Sequence, residues 1–278
     1  MKYPEHRSRS DYEIIDTNAG NIGDCSLCGN KCAGNPGYRR KLAWLKERYA
    51  EGLKYKVLRS EKFGDVGMIE YARGEHAWRP VEAEGYLVIH CLMVSRKHQR
   101  KGLGSLLLES CLEDARCGRH HGVAVVASSD GFMARRDMYL KAGFVPLDKK
   151  PPYELLVKKL KKSAPDPRFV VTRERLVEQP SEGLTILAAD QCPYVANSVD
   201  RIAEAARRLE LEPRLVRIRS AEASRELPTP YGVFGILLDG QLIAGRPISA
   251  TRFLSIMRRQ GVESPNLRSG KRRKARAA

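Results

Sequence analysis

Long hydrophobic runs are missing from this chain. The most apolar stretches, such as 123–127 and 236–238, fall far short of the roughly 18 residues that cross a bilayer, which excludes a spanning helix. The N-terminus has no apolar segment behind its charges, so no export signal is expected and a cytoplasmic setting is. Acid is in short supply, with 33 Asp and Glu against 50 Lys and Arg, a net charge of +17. That excess favours polyanionic ligands without choosing among them. Seven cysteines are too few and odd in number for a disulfide framework, and reduced thiols are expected. With 23 Gly and 15 Pro the chain is neither collagenous nor low-complexity, and 42% hydrophobic residues provide for a packed core. A length of 278 residues corresponds to about two domains.

One seam stands out. Residues 158–168, KKLKKSAPDPR, combine lysines with two prolines and no apolar period, and the domain boundary is placed there. Upstream, Tyr38, Leu42, Leu45 and Tyr49 repeat at helical spacing, and 53–59 and 66–71 alternate as antiparallel strands. A longer strand, 86–94, runs through a glycine turn into a helix bearing Leu103, Leu107, Cys111 and Ala115, followed by the apolar strand 123–127. An unbroken apolar strand is covered on both faces, so this is a β-α-β unit in a mixed sheet. Downstream the order is β-α-β-β-β-α: strand 184–189, a strongly amphipathic helix through Val195, Val199, Ile202 and Ala206, strand 215–218, a hairpin turning at Asp239-Gly240, and helix 251–259.

The most informative stretch is Val94-Ser95-Arg96-Lys97-His98-Gln99-Arg100-Lys101-Gly102-Leu103-Gly104-Ser105. Glycines at a strand-to-helix junction let the backbone approach a ligand, and the first helical turn offers unpaired N–H groups at the positive end of the dipole. Four basic residues surround the turn, which suits a ligand with several phosphates.

Gln99-x-x-Gly102-x-Gly104 after a strand ending in Val94 resembles the signature of the Gcn5-related N-acetyltransferases (GNAT). Tyr139-Leu140-Lys141-Ala142-Gly143-Phe144 is similar to that family's Tyr-x-x-x-Gly-Phe. The resemblance implies an α/β fold with a GNAT-type mixed central sheet flanked by helices. It also implies acetyl-CoA as cosubstrate and transfer of the acetyl group to a small amine. By the same resemblance, the pyrophosphate would be held by Gln99, Arg100, Lys101, Gly102, Leu103, Gly104 and Ser105. The pantetheine arm and thioester would lie along the backbone of Leu92, Met93 and Val94.

Tyr139 matches the position that donates to the departing sulfur. A phenol near ~10 facing a thiol near ~8.5 is uphill by about 2 kcal/mol, so hydrogen bonding is expected instead of full proton transfer. For the base, His90 titrates in the useful range, and Glu70, Glu82 and Glu84 are carboxylates on neighbouring segments. Where many members carry Asn seven residues before the Tyr, Phe132 stands here, leaving Ser128 or Ser129 to replace that pantetheine contact.

In the second half, Gln191-Cys192-Pro193-Tyr194 resembles the Cys-Pro-Tyr-Cys of glutaredoxins, with Val195 in place of the second cysteine. A helix N-terminus would lower the Cys192 thiol pKa. Pro230, ahead of the hairpin, takes the place of that fold's cis-proline. Taken whole, about 31–257, the chain resembles acetyltransferases with a C-terminal YoaP-like, thioredoxin-like α/β domain. The expected organisation is a cysteine-containing segment over 1–37, the acetyl-CoA-binding domain over 38–160, a linker over 161–182, the smaller domain over 183–260 and a basic tail over 261–278. A second reading is a thiol-redox or thiol-binding protein using Cys192, with the first domain binding CoA as a regulator.

Cys25, Cys28 and Cys32 lie close enough in sequence to hold one zinc, though a closed site wants a fourth ligand; reversible oxidation and unligated thiols are the alternatives. The tail carries six basic residues against one acid, Glu263, but lacks aromatics, so a solvated segment is expected in preference to a nucleic-acid site.

Overall fold

The computed structural model describes residues 11–29, 33–129, 132–133, 135–170 and 182–262. Cys32, residues 171–181 of the linker and 263–278 of the basic tail therefore lie outside the described residues.

In chain order the elements are β1 (Tyr12–Asp16), α1 (Pro36–Arg48), β2 (Lys54–Ser60), β3 (Gly64–Arg73), β4 (Val81–Glu82), β5 (Tyr86–Val94), α2 (Leu103–Cys117), β6 (Gly122–Ser128), α3 (Arg136–Lys141), β7 (Val145–Lys150), β8 (Tyr153–Lys159), β9 (Arg168–Phe169), β10 (Leu184–Ala188), α4 (Pro193–Arg207), β11 (Arg214–Arg217), α5 (Ala221–Arg225), β12 (Phe234–Leu238), β13 (Gln241–Ala244) and α6 (Ala250–Arg259). Local chemistry sets several of these boundaries. Asn35 caps α1, its side chain accepting from the Gly37 and Tyr38 N–H groups, with Pro36 in the first turn. Such a cap contributes about 1 kcal/mol. Asp239 (φ 48°) and Gly240 (φ 76°) both take left-handed conformations, making the tight hairpin turn that their sequence called for.

Seven strands form a mixed sheet in the order β1-β2-β3-β5-β6-β8-β7, with β5 and β6 parallel and every other neighbouring pair antiparallel. This is the mixed α/β architecture with a helix-flanked central sheet that the sequence implies. β6 shows why it reads as unbroken apolar: Val123, Val125 and Ala127 pack on one face with Leu103, Leu107 and Cys111 of α2, while Ala124 and Val126 belong to the core on the other.

A second sheet has the order β11-β10-β12-β13, with β10 and β11 parallel and the other pairs antiparallel. The short α5 interrupts the expected β-β step, so the observed order is β-α-β-α-β-β-α. β12 starts at Phe234. Just ahead of it the backbone crosses the first sheet's territory, and a side chain on Gly232 (φ 74°) would meet Pro80 Cδ at 2.7 Å and Arg79 Cα at 3.0 Å. The two sheets share one apolar cluster, with Trp44, Tyr55 and Val88 from the first half and Val195, Phe234 and Phe253 from the second.

Candidate active site

The central event in the sheet is a parting of strands. β5 and β6 pair only from Tyr86–Ile89 against Gly122–Val125, yet β5 continues to Val94 and β6 to Ser128. Each keeps its outer neighbour: Cys91–Val94 stay on β3, and Val126–Ser128 stay on β8. Backbone groups of β5 beyond Ile89 that would have bonded β6 face a wedge, and such groups seek a partner when water is excluded.

A bulge accompanies the parting. The register against β3 steps from Tyr71↔Ile89 to Glu70↔Cys91, leaving His90 as the extra residue. An added residue reverses which face later side chains take. Thus Val88 faces the core shared with the second sheet, and beyond the bulge Cys91 and Met93 take over that face while Leu92 and Val94 pack toward α2.

From Val94 the chain enters a short 3-10 turn at Arg96–His98, and the Gln99 amide folds back to donate to the Val94 carbonyl at 3.0 Å. Arg100 (φ 64°) and Gly102 (φ 76°) are left-handed; holding a non-glycine residue there costs roughly 1–2 kcal/mol. No side chain caps α2, whose N-cap is Gly102, and a Cβ at Gly102 would meet no atom within 4 Å. The first turn of α2 thus opens outward with exposed Arg96, Lys97, Arg100 and Lys101 about it. This fits a diphosphate, and the wedge beside it fits an extended arm that needs backbone hydrogen bonds. Gly104 has a different reason to be small: its Cβ would stand 2.9 Å from the Met138 sulfur of α3.

Tyr139, next to Met138, is buried and packs edge-on against Phe144 with ring centroids 5.5 Å apart. Burial, with the Cys91 thiol a lesser cause, pushes its phenol well above the usual value, so it keeps its proton.

His90 has both ring nitrogens engaged. Nδ1 donates to Glu70 Oε1 at 3.1 Å, and Nε2 accepts from the Trp78 N–H at 3.0 Å. Burial lowers its pKa to about 4, with the neighbouring Glu70 opposing the shift. The neutral imidazole thus has both nitrogens committed within the protein, Nδ1 to Glu70 and Nε2 to Trp78. Glu70 is equally committed: Lys41 Nζ bonds Oε2, and Gln191 Nε2 donates to Oε1 at 2.8 Å. Burial by itself would raise its carboxyl, but Lys41 and His90 outweigh it and hold the pKa at about 2. Arg79, buried beside them, donates to the Trp78 and His90 carbonyls.

Glu82 and Glu84 lie elsewhere. Both are exposed ahead of β5, at the opposite end of that strand from Val94, and Glu82 pairs with Arg168 of β9. From Tyr86 the wedge opens three strand steps away, after Ile89, or about 10 Å, and Val94 lies about 26 Å away. Ser129 donates through both its N–H (3.0 Å) and its hydroxyl (3.3 Å) to the Pro152 carbonyl, which ties it to the β7–β8 turn.

Cys192 caps the N-terminal end of α4 with Pro193 in the first turn, as its sequence reads, but its thiol pKa is raised. Burial dominates, the nearby Cys28 adds to it, and a hydrogen bond from Tyr231 only partly opposes them. Pro230 follows a trans bond; the described cis peptide joins Pro151 and Pro152. Of the three cysteines considered for zinc, Cys32 lies outside the described residues. Cys25 lies beside Arg59, whose Nη2 donates to its sulfur at 3.7 Å, whereas Cys28 turns to Cys91, and among the described residues no group of three His, Cys, Asp or Glu is placed to hold a metal.

The sequence reading missed Lys41, Arg79 and Gln191. A signal existed for Lys41, which shares an inward helical face with Tyr38 and Leu45; nothing local marked Gln191.

Residues 57–146 match the family model described as acetyltransferase (GNAT) domain. Over 224 residues the chain is 25% identical to the uncharacterized N-acetyltransferase YoaP of Bacillus subtilis, covering 78% of this chain and 86% of that protein. It is 37% identical over 97 residues to the L-methionine sulfoximine/L-methionine sulfone acetyltransferase of Salmonella typhimurium, covering 34% of this chain and 53% of that protein. Among solved structures, yncA of Salmonella typhimurium with its cofactor acetyl-CoA aligns at 18% identity and a TM-score of 0.41, over 56% of this chain and 98% of the other. The stretch that matches the acetyltransferase (GNAT) domain model is the one that contains the bulge, the parting strands and the uncapped glycine turn.

Proposed function

We propose that this acetyltransferase moves the acetyl group of acetyl-CoA onto the nitrogen of a small amine. The observation that carries the reading is the wedge after Ile89 and Val125, continuous in sequence with the uncapped first turn of α2. Acetyl-CoA supplies the acetyl group as an activated thioester. The Leu103, Gly104 and Ser105 N–H groups hold its diphosphate, aided by Arg100 and Lys101. The backbone from Leu92 to Val94 orients the pantetheine arm and offers a donor to the thioester oxygen. Tyr139, protonated by virtue of its burial, hydrogen-bonds the sulfur as it leaves. His90 and Glu70 act through position: their closed network with Lys41 and Gln191 fixes the bulged strand.

A small acceptor accords with the Salmonella relative, which is named for two small amines. The C-terminal unit, about 183–260, reads as thioredoxin-like, supported by its β-α-β-α-β-β-α order and its single parallel pair. The redox reading loses its main support with the raised Cys192 pKa. The test is titration of the full chain with acetyl-CoA and measurement of CoA release across a panel of amines. Saturable binding that fails in Gly102→Val, together with amine-dependent CoA release, is the expected result; binding unaltered in that variant would defeat the site assignment.

A further inference from the structure

A cleft of about 750 Å³ lies between the β7–β8 turn and the second sheet. One wall is Lys150 to Tyr153; the other comes from the Pro228–Pro230 segment, the chain after β13, and α6. Gly245 clamps the two walls together, its carbonyl accepting from the Tyr153 hydroxyl at 3.3 Å and from Thr229 Oγ1 at 2.8 Å. Tyr153 stands opposite Ser128 at the end of β6, so the cleft opens at the end of the sheet where β5 and β6 have parted.

Two features define what the cleft would accept. Its lining contains Lys150, Arg246 and Arg252 and, among the described residues, no acid, while Pro151, Ile248 and Ile256 give it an apolar part. A ladder of rings and guanidinium groups then leads inward: Arg246 sits 5.2 Å over the Phe132 ring, Phe132 packs edge-on against Tyr231 at 5.3 Å, and Arg79 sits 5.2 Å over Tyr231. Arg79 in turn holds the His90 carbonyl at the bulge. The cleft is thus linked, side chain by side chain, to the strand that borders the wedge.

We propose that this cleft between the two halves of the chain receives the acceptor, and that the acceptor is an amine carrying a carboxylate, which Lys150 and Arg252 hold at the rim. The proposal rests on the transferase reading for the word acceptor, but the recognition of a carboxylate does not. Lys150 and Arg252, with no acid among the described lining residues, make the site complementary to an anion and repel a polycation. The apolar part suits the side chain that separates carboxylate from solvent, and the second half of the chain becomes the source of substrate specificity.

The experiment uses the full chain and two probe pairs. Binding of N-acetyl-L-phenylalanine and of its amide is measured by calorimetry, and CoA release is measured with L-phenylalanine, L-phenylalaninamide and spermidine. The acid should bind at least about tenfold more tightly than the amide, the usual worth of a charge-assisted contact, and L-phenylalanine should be the best of the three acceptors. In Lys150→Glu/Arg252→Glu the preference should vanish, whereas Arg201→Glu on exposed α4 should retain it, separating a local effect from net charge. Equal binding of acid and amide, or a preference that survives the double reversal, would overturn the proposal. Loss of acetyl-CoA binding or of all CoA release, with acid binding intact, would instead count against the transferase reading and leave the carboxylate site standing.

Discussion

The Gln191 side-chain amide donates to Glu70 Oε1 at 2.8 Å across 121 residues of chain, joining the second half of the protein to the central strands of the first. Both residues are buried, so the bond reports on how the halves are locked together.

Gln191→Leu should therefore lower stability by roughly 1.5–3 kcal/mol, the range for a lost hydrogen bond to a buried charge. Urea unfolding followed by tryptophan fluorescence measures it, since Trp44 and Trp78 pack against each other at 5.2 Å in the shared core. A loss of under about 0.5 kcal/mol, as at an ordinary surface site, would show that the halves are held by other contacts.

The two glycines of the turn should respond differently. Gly102→Ala places a methyl in open space, so its stability cost is limited to the roughly 1–2 kcal/mol of left-handed strain, while acetyl-CoA affinity falls. Gly104→Ala pushes on the Met138 sulfur instead, and adding Met138→Ala should restore stability. Thermal melts with and without acetyl-CoA separate the two effects.

Tyr139→Phe should reduce kcat about tenfold, which is one hydrogen bond of roughly 1.4 kcal/mol made to the leaving sulfur, with acetyl-CoA affinity unchanged. An unchanged kcat would remove Tyr139 from the reaction and leave it as an aromatic packed on Phe144.

Acid should destabilise the fold in two stages. His90 and Glu70 both have folded pKa values below their ordinary ones, about 4 against 6.5 and about 2 against 4.5. In each interval the unfolded chain binds more protons, so stability rises with pH. It is fully present above about 6.5, His90 loses its share as pH falls toward 4, and Glu70 loses its share from 4.5 toward 2. Urea midpoints taken from pH 7 to 4 should fall in the parent, and His90→Gln should flatten the upper part of that slope.

Periodicity and turn chemistry were enough to place most helices and strands in the sequence: the apolar run through 123–127, the spacing of Leu103, Leu107 and Cys111, and Asp239-Gly240 are all local signals. The glycine turn belonged to the same class, because left-handed φ at Gly102 and the bare first turn of α2 are properties of neighbouring residues. The candidate base was not. His90 and Glu70 carry suitable pKa values when free, and only burial against Lys41, Trp78 and Gln191 engages every acceptor they have.

What the chain's order of residues settled by itself was a mixed α/β sheet, the β-α-β unit and an anion-ready turn, since hydrogen bonding over a few residues and side-chain alternation suffice for these. Tertiary structure decided the rest. The wedge exists because β5 and β6 each hold an outer partner more than twenty residues away in sequence, and the cleft exists because two sheets meet at Gly245. Burial likewise turned Cys192 away from thiolate chemistry, as desolvation of a charge outweighs the pull of a helix end.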